Sequence, residues 1–192
     1  MNDPIKEFWG NIVKTEPYWS VLTHDEYKMK NIDLTQFYHT GAVHIKRLIN
    51  YLKSNNLIEK INTCLDFGCG VGRMTVPLSK VCNSVDAVDL SSGMIDIARK
   101  YISDNNIGNV TLIDTSQNDF LPQKQKYDLI FSWAVLQHNP LPKAEAILDK
   151  ICQSISTNGV AAIYIFSKCK NPSSDEISDK MQMHDFPVDR AV

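Results

Sequence analysis

Between Thr63 and Phe166 the chain alternates five short apolar runs with helix-period segments, and this alternation limits its fold more than any other feature. The strand candidates are TCLDF (63–67), SVDAVDL (84–90), VTLID (110–114), YDLIFSW (127–133) and GVAAIYIF (159–166). Strands separated by helices pair in parallel, because the crossovers carry the chain back to the same end and cover the sheet faces. The first crossover helix is expected from about Arg73 to Cys82. The second starts at a Ser91 or Ser92 cap and shares Met94, Ala98, Tyr101 and Ile102 on one face. The last has Pro142 in its first turn, buries Ile147, Leu148, Ile151 and Ile155, and stops at Gly159. The expected fold class is α/β: a doubly wound, mostly parallel sheet with helices on both faces.

Ligands of such sheets bind beyond the carboxyl ends of the strands. The segment Leu65-Asp66-Phe67-Gly68-Cys69-Gly70-Val71-Gly72-Arg73 lies there, running from strand to helix with glycine at every second position. Glycine lets a ligand approach the backbone, and the following helix start offers free N–H groups. The dinucleotide fingerprint GxGxxG would need its third glycine at position 73, which is arginine, and no GK[ST] follows to make a phosphate loop. Asp66 would repel a pyrophosphate and attract an ammonium group. The loop therefore suits a nucleoside carrying positive charge. Asp89, 23 residues after Asp66, ends the second strand and can accept bonds from ribose hydroxyls. Asp114 ends the third strand and can accept from an adenine amino group.

The runs LDFGCGVGR, VDAVDLSSGMIDIAR and YDLIFSWAVLQHNP resemble successive motifs of the class I S-adenosylmethionine-dependent methyltransferases, over roughly residues 60–166. The resemblance implies a Rossmann-like domain with S-adenosyl-L-methionine as cofactor. By it, Asp66, Gly68 and Gly70 hold the methionine moiety, and Asp89 holds the ribose. Leu90 and Met94 pack on adenine, Asp114 and the Thr115 N–H meet its edge, and Ser132 and Trp133 line the space near the sulfonium. Methyl transfer is an in-line displacement that needs alignment and exclusion of water, and a base only when the acceptor must lose a proton. His138, just after the fourth strand, is the candidate base, since an unshifted imidazole titrates near neutrality. The implied activity is transfer to oxygen or nitrogen of a small-molecule acceptor. The alternatives are a protein methyltransferase, or a catalytically silent cofactor-binding regulator or scaffold.

Residues 1–55 form an aromatic-rich N-terminal segment, and 56–192 the cofactor domain. A helix is expected from Gly41, with Ile45, Leu48, Ile49 and Leu52 on one face and Asn55-Asn56 at its end. Segments before the first strand often cover the cofactor in related enzymes, so Tyr18, Trp19, Tyr38 and His39 are acceptor-site candidates. His24, His44 and His184 read as surface or structural residues.

With 20 basic against 22 acidic residues, the net charge of −2 gives no general attraction to nucleic acid or an anionic membrane. No apolar run is long enough to span a bilayer, and MNDPIKEFWG is no signal peptide. The five cysteines lack CxxC spacing, so neither a disulfide framework nor a metal site is expected, and the cytoplasm is the expected compartment. The family's usual sheet has seven strands, yet 26 residues follow Phe166. The C-terminal strands are therefore expected to be shortened or missing, in a trimmed fold, a fragment or a chain completed by a partner. An unpaired 159–166 edge would invite aggregation, so the C-terminal tail or a second subunit, as in a homodimer, is expected to cover it.

Overall fold

The computed structural model describes residues 4–28, 32–117 and 126–165. Its elements in order are α1 (Pro4–Ile12), α2 (Leu34–Ser54), β1 (Thr63–Phe67), α3 (Thr75–Leu78), β2 (Ser84–Asp89), α4 (Ser92–Asp104), β3 (Val110–Asp114), β4 (Tyr127–Trp133), α5 (Leu141–Ser154) and β5 (Ile155–Tyr164). Single 3₁₀ turns occupy Asp25–Tyr27 and Leu136–His138. All four strand pairings are parallel, in the order β3-β2-β1-β4-β5. The order reverses between β1 and β4, which opens a crevice above their carboxyl ends. This is the α/β arrangement expected from the alternation.

The central strands bury both faces. Leu65, Val88 and Ile130 face α5, while Cys64, Val85, Ala87, Leu129 and Phe131 share a core with Ile45, Leu48, Ile49 and Leu52 of α2. Each such leucine or isoleucine contributes about 1.5–3 kcal/mol on leaving water. Helix α2 thus belongs to the same core as the sheet. Among the described residues, no helix is long and apolar enough to cross a membrane.

Three boundaries differ from the sequence reading. Helix α2 starts at Leu34, not Gly41, with Asp33 Oδ1 accepting the Gln36 N–H at 3.1 Å. Phe37 and Tyr38 are buried and extend the apolar face by a turn, and Gly41 lies inside the helix against the Arg73 backbone. The first crossover, expected from Arg73 to Cys82, is α-helical only over Thr75–Leu78. Turns flank it, and Pro77 supplies no N–H to prolong the ladder. Finally, β5 begins at Ile155, which was assigned to the helix face, and runs through Gly159, which was read as a stop. The β4–β5 register jumps between Tyr127↔Ile155 and Leu129↔Val160. A Cβ at Gly159 would lie 2.6 Å from the Tyr127 carbonyl oxygen, so the glycine serves a strand irregularity.

Candidate functional site

The chain turns sharply from β1 into the glycine loop. The Gly68 and Cys69 N–H groups both donate to the Val88 carbonyl, at 2.9 and 3.0 Å, which pins the loop to β2. Gly68 has φ +76°, and a Cβ there would lie 2.2 Å from Val135 Cγ2. Only glycine meets both conditions.

Above the loop opens a cavity of about 940 Å³. Its floor is the strand ends: Asp66 and Phe67 of β1, Val88 and Asp89 of β2, and Trp133 of β4. Leu90, Met94 and Thr115 close the β2–β3 side. The N-terminal wall is Ile5 and Trp9 of α1 with Ser20–His24. Helix α1 has no buried residue of its own. Ser91 Oγ donates to the Trp9 carbonyl at 3.4 Å, and Lys6 donates to that of Ser116. The Trp9 and His138 rings meet edge-on at 5.4 Å.

Two carboxylates stand at this floor, Asp66 buried and Asp89 half-buried. Asp66 Oδ2 accepts from Thr75 Oγ1 at 2.6 Å. Burial pushes its carboxyl up to about 7, with the Thr75 bond opposing, the Asp89 charge adding and Arg73 opposing. Asp89 accepts two backbone N–H bonds, from Ser91 at 2.9 Å and Gly70 at 2.8 Å. Burial outweighs those bonds and raises it too. Each oxygen keeps a lone pair for a further donor.

Other expected site residues are placed differently. Asp114 is exposed, does not line the cavity, and accepts the Ser116 N–H at 2.7 Å. Thr115 lines the cavity, but its N–H is spent on the Asp89 carbonyl at 2.9 Å. Ser132 is buried below the floor and donates to the Phe67 carbonyl at 3.0 Å. Ser91 precedes α4 without a side-chain cap bond, since its hydroxyl goes to Trp9.

None of the four acceptor-site candidates lines the cavity. Tyr38 donates to the Val71 carbonyl at 2.8 Å and stacks on Tyr101 at 3.5 Å. Tyr18 packs edge-on against Phe37, Trp19 carries Lys28 over its ring, and His39 is exposed on α2. These aromatics weld the N-terminal segment to α2 and α4, because rings of that size contribute most when enclosed on all sides.

His138 does line the cavity, in the turn after β4. Burial lowers its imidazole to about 4, against a smaller opposing bond to the Ala134 backbone. It is neutral at pH 7 and a weaker base than an unshifted histidine.

Among the cavity residues not expected as site residues are Arg73, His44 and His24. The two histidines read as surface or structural. For His44 a signal existed, since Gly41, His44 and Leu48 share one face at helical spacing. Arg73 carried no signal beyond its place after the last loop glycine.

A parallel α/β sheet with a glycine loop and strand-end carboxylates defines a nucleoside-binding class of domain. Residues 64–159 match a family model described as a methyltransferase domain, and the chain belongs to that family. The ubiquinone biosynthesis O-methyltransferase of Rickettsia bellii (strain OSU 85-389) is 26% identical over 160 residues, covering 79% of this chain and 65% of that protein. The malonyl-[acyl-carrier protein] O-methyltransferase of Priestia megaterium is 39% identical over 93 residues, 47% of this chain and 32% of that protein. The chain thus spans less than two thirds of the curated relatives it matches. In fold it is similar to phosphoethanolamine N-methyltransferase 1 of Haemonchus contortus, solved with phosphoethanolamine and S-adenosylhomocysteine. That match has TM-score 0.67 at 16% identity and covers 90% of this chain and 33% of that one. An S-adenosylmethionine-dependent methyltransferase from Clostridium acetobutylicum ATCC 824 gives 0.58 at 21% identity, covering 78% and 55%.

Proposed function

We propose that this chain binds S-adenosyl-L-methionine in the cavity and moves its methyl group to an oxygen or nitrogen of a small-molecule acceptor. The pair of carboxylates, buried Asp66 and half-buried Asp89, at the ends of adjacent strands around the glycine loop carries this reading. Drawing two acids partly out of water is costly, and a cationic or hydroxyl-rich ligand that meets them offsets that cost. Their donor chemistry fits a ligand with an ammonium group and a ribose. In this reading Asp66, Gly68 and Gly70 hold the amino-acid part, Asp89 the ribose, and Leu90 and Met94 the adenine faces. The chemistry that such a ligand supplies is a methyl carbon already activated by a sulfonium.

The chain's own part is alignment and dehydration. Trp9 and Val21 cover the cavity from the N-terminal side, which supports a covering role for the part of residues 1–55 that precedes α2, while α2 itself packs in the core of the sheet. His138, neutral at pH 7, offers a lone pair that orients an acceptor proton. Its lowered basicity favours an acceptor that ionises easily or needs no base. The free thiols of Cys64, Cys69, Cys82 and Cys152 suit a reducing compartment, the cytoplasm. A second copy of the chain is the proposed cover for β5, which has β4 on one side and ends in half-exposed Tyr164. The C-terminal stretch DFPVDRAV, the other expected cover, lies outside the described residues.

Calorimetric titration with S-adenosylhomocysteine tests the binding step, and micromolar or tighter affinity is expected. Incubation with S-adenosylmethionine and a panel of phenols, carboxylic acids and amines then tests transfer, read as acceptor-dependent release of S-adenosylhomocysteine. A folded chain that does not bind the nucleoside defeats the proposal.

A further inference from the structure

Arg73 is among the largest fully enclosed side chains of the protein, at 1% exposure, yet it lines the cavity. Its partners are neutral. Nη1 donates to Thr40 Oγ1 at 3.2 Å and lies 3.4 Å from His44 Nδ1. Arginine only donates, so that ring nitrogen carries the lone pair. Burial and then the Arg73 charge lower the His44 imidazole, which keeps it neutral. The Arg73 Nε has no hydrogen-bond partner among the described residues. No carboxylate there lies within ion-pair distance of Arg73 either. Asp66 acts on it only at longer range and is already bonded to Thr75. A buried, unpaired guanidinium is among the most costly arrangements a fold can carry.

The surroundings are aromatic. His44 stacks on Trp133 at 4.7 Å, Tyr164 meets the same indole at 4.5 Å, and the guanidinium carbon sits 5.8 Å from its ring centre. Trp133 and Tyr164 end β4 and β5, on the opposite side of β1 from Asp89, Leu90 and Thr115. The cavity therefore has an acidic end on β1–β2, and Arg73, His44 and Trp133 come together on its β4 side.

We infer that Arg73, with Trp133 and His44 beside it, is an acceptor-binding site for a carboxylate carried on a planar group, the carboxylate pairing with the guanidinium charge at the cavity wall. A guanidinium–carboxylate pair neutralises the buried charge, and arginine is the side chain best suited to hold a carboxylate in a fixed geometry. The inference rests on the methyl-transfer reading for the word acceptor, and the amino-acid carboxylate of the nucleoside is the rival source of the same chemistry.

The probes are benzoate and its neutral isostere benzamide, titrated calorimetrically into the full chain with and without saturating S-adenosylhomocysteine. Benzoate is expected to bind about ten-fold or more tightly than benzamide, the range for a hydrogen bond to a charged group. Arg73→Gln should abolish that preference, and Arg73→Lys should restore part of it. Affinity for S-adenosylhomocysteine should stay within about three-fold in both variants, well under the effect of losing a charged hydrogen bond. Equal binding of the two probes to the wild type overturns the inference, and so does a preference that survives Arg73→Gln. It is also overturned if Arg73→Gln weakens S-adenosylhomocysteine about ten-fold but spares 5′-deoxy-5′-methylthioadenosine, which lacks the amino-acid carboxylate. That result assigns the pairing to the nucleoside ligand. If Arg73→Gln does not fold, the wild-type Arg73 Nε–H resonance decides: it must shift with benzoate and not with benzamide. A chain that prefers benzoate but ignores S-adenosylhomocysteine would sink the cofactor reading and leave the anion site standing.

Discussion

Asp128 and Asp66 stand on neighbouring strands of one sheet and face opposite fates. At the amino end of β4, Asp128 Oδ2 accepts the Asn62 and Thr63 N–H groups at 2.7 and 3.1 Å, and Oδ1 accepts from Ser156 at 3.2 Å. Burial pulls its pKa upward, but those bonds outweigh it and the carboxyl ends below the usual range. At the carboxyl end of β1, Asp66 has one hydroxyl partner and is held up to about 7. The first acid is saturated by its own chain and ties loops together. The second is left short of partners beside a cavity, which is the state of a group awaiting a ligand.

Substitutions can break this contrast. The largest effect is expected from Gly68→Ala, at the open end of the sheet. A positive φ costs an L-residue about 1–2 kcal/mol, and forced overpacking against Val135 adds about 1–3 kcal/mol. Urea unfolding should show the loss, and Val135→Ala should recover part of it. Asp128→Ala, at the closed end, should cost about 1.5–3 kcal/mol of stability and leave nucleoside affinity unchanged. Asp89→Ala should do the reverse and weaken S-adenosylhomocysteine binding by about 1.5–3 kcal/mol, read by calorimetry. Unchanged affinity would remove Asp89 from the site.

The pH dependence sharpens the contrast further. Asp66 is raised in the fold, so it burdens the native state increasingly from about pH 4, where the unfolded carboxyl ionises, up to about pH 7. Asp66→Asn should therefore raise the melting temperature at pH 8 and leave it unchanged near pH 3. Asp128 is lowered, so its support is present above the unfolded value and fades as acid protonates it. A ligand ammonium favours ionised Asp66. Nucleoside affinity should therefore fall by up to about ten-fold per unit below pH 7, and Asp66→Asn should flatten that slope. The smallest effect is expected from Trp9→Ala in the loosely held α1: about 0.5–1.5 kcal/mol of ligand affinity, lost mainly through faster dissociation in stopped-flow traces.

Much of the glycine-loop end of the cavity was legible because its parts are local. Asp66, Gly68 and Gly70 lie within five consecutive residues, and Asp89 closes the next strand. A strand, a tight turn and a strand-end acid each leave a short-range mark in composition. The N-terminal wall was not legible. Tyr18, Tyr38 and Trp9 are all large aromatics in a polar context, and nothing local distinguishes a ring that packs on α4 from one that faces a cavity. The strength of His138 as a base was equally hidden, since its environment is assembled from residues distant in sequence.

By itself the sequence determined the parallel α/β sheet, through the period of its apolar runs, and the carboxylate-lined glycine loop, through residues adjacent in the chain. Only the tertiary structure decided which residues complete the cavity. Arg73, in the turn after the glycine loop, and His44 of α2 join Trp133 at the end of β4 only because α2 lies against the sheet. Burial and electrostatic pairing are sums over such neighbours, so the charge left unpaired at that end of the site is a property of the assembled fold.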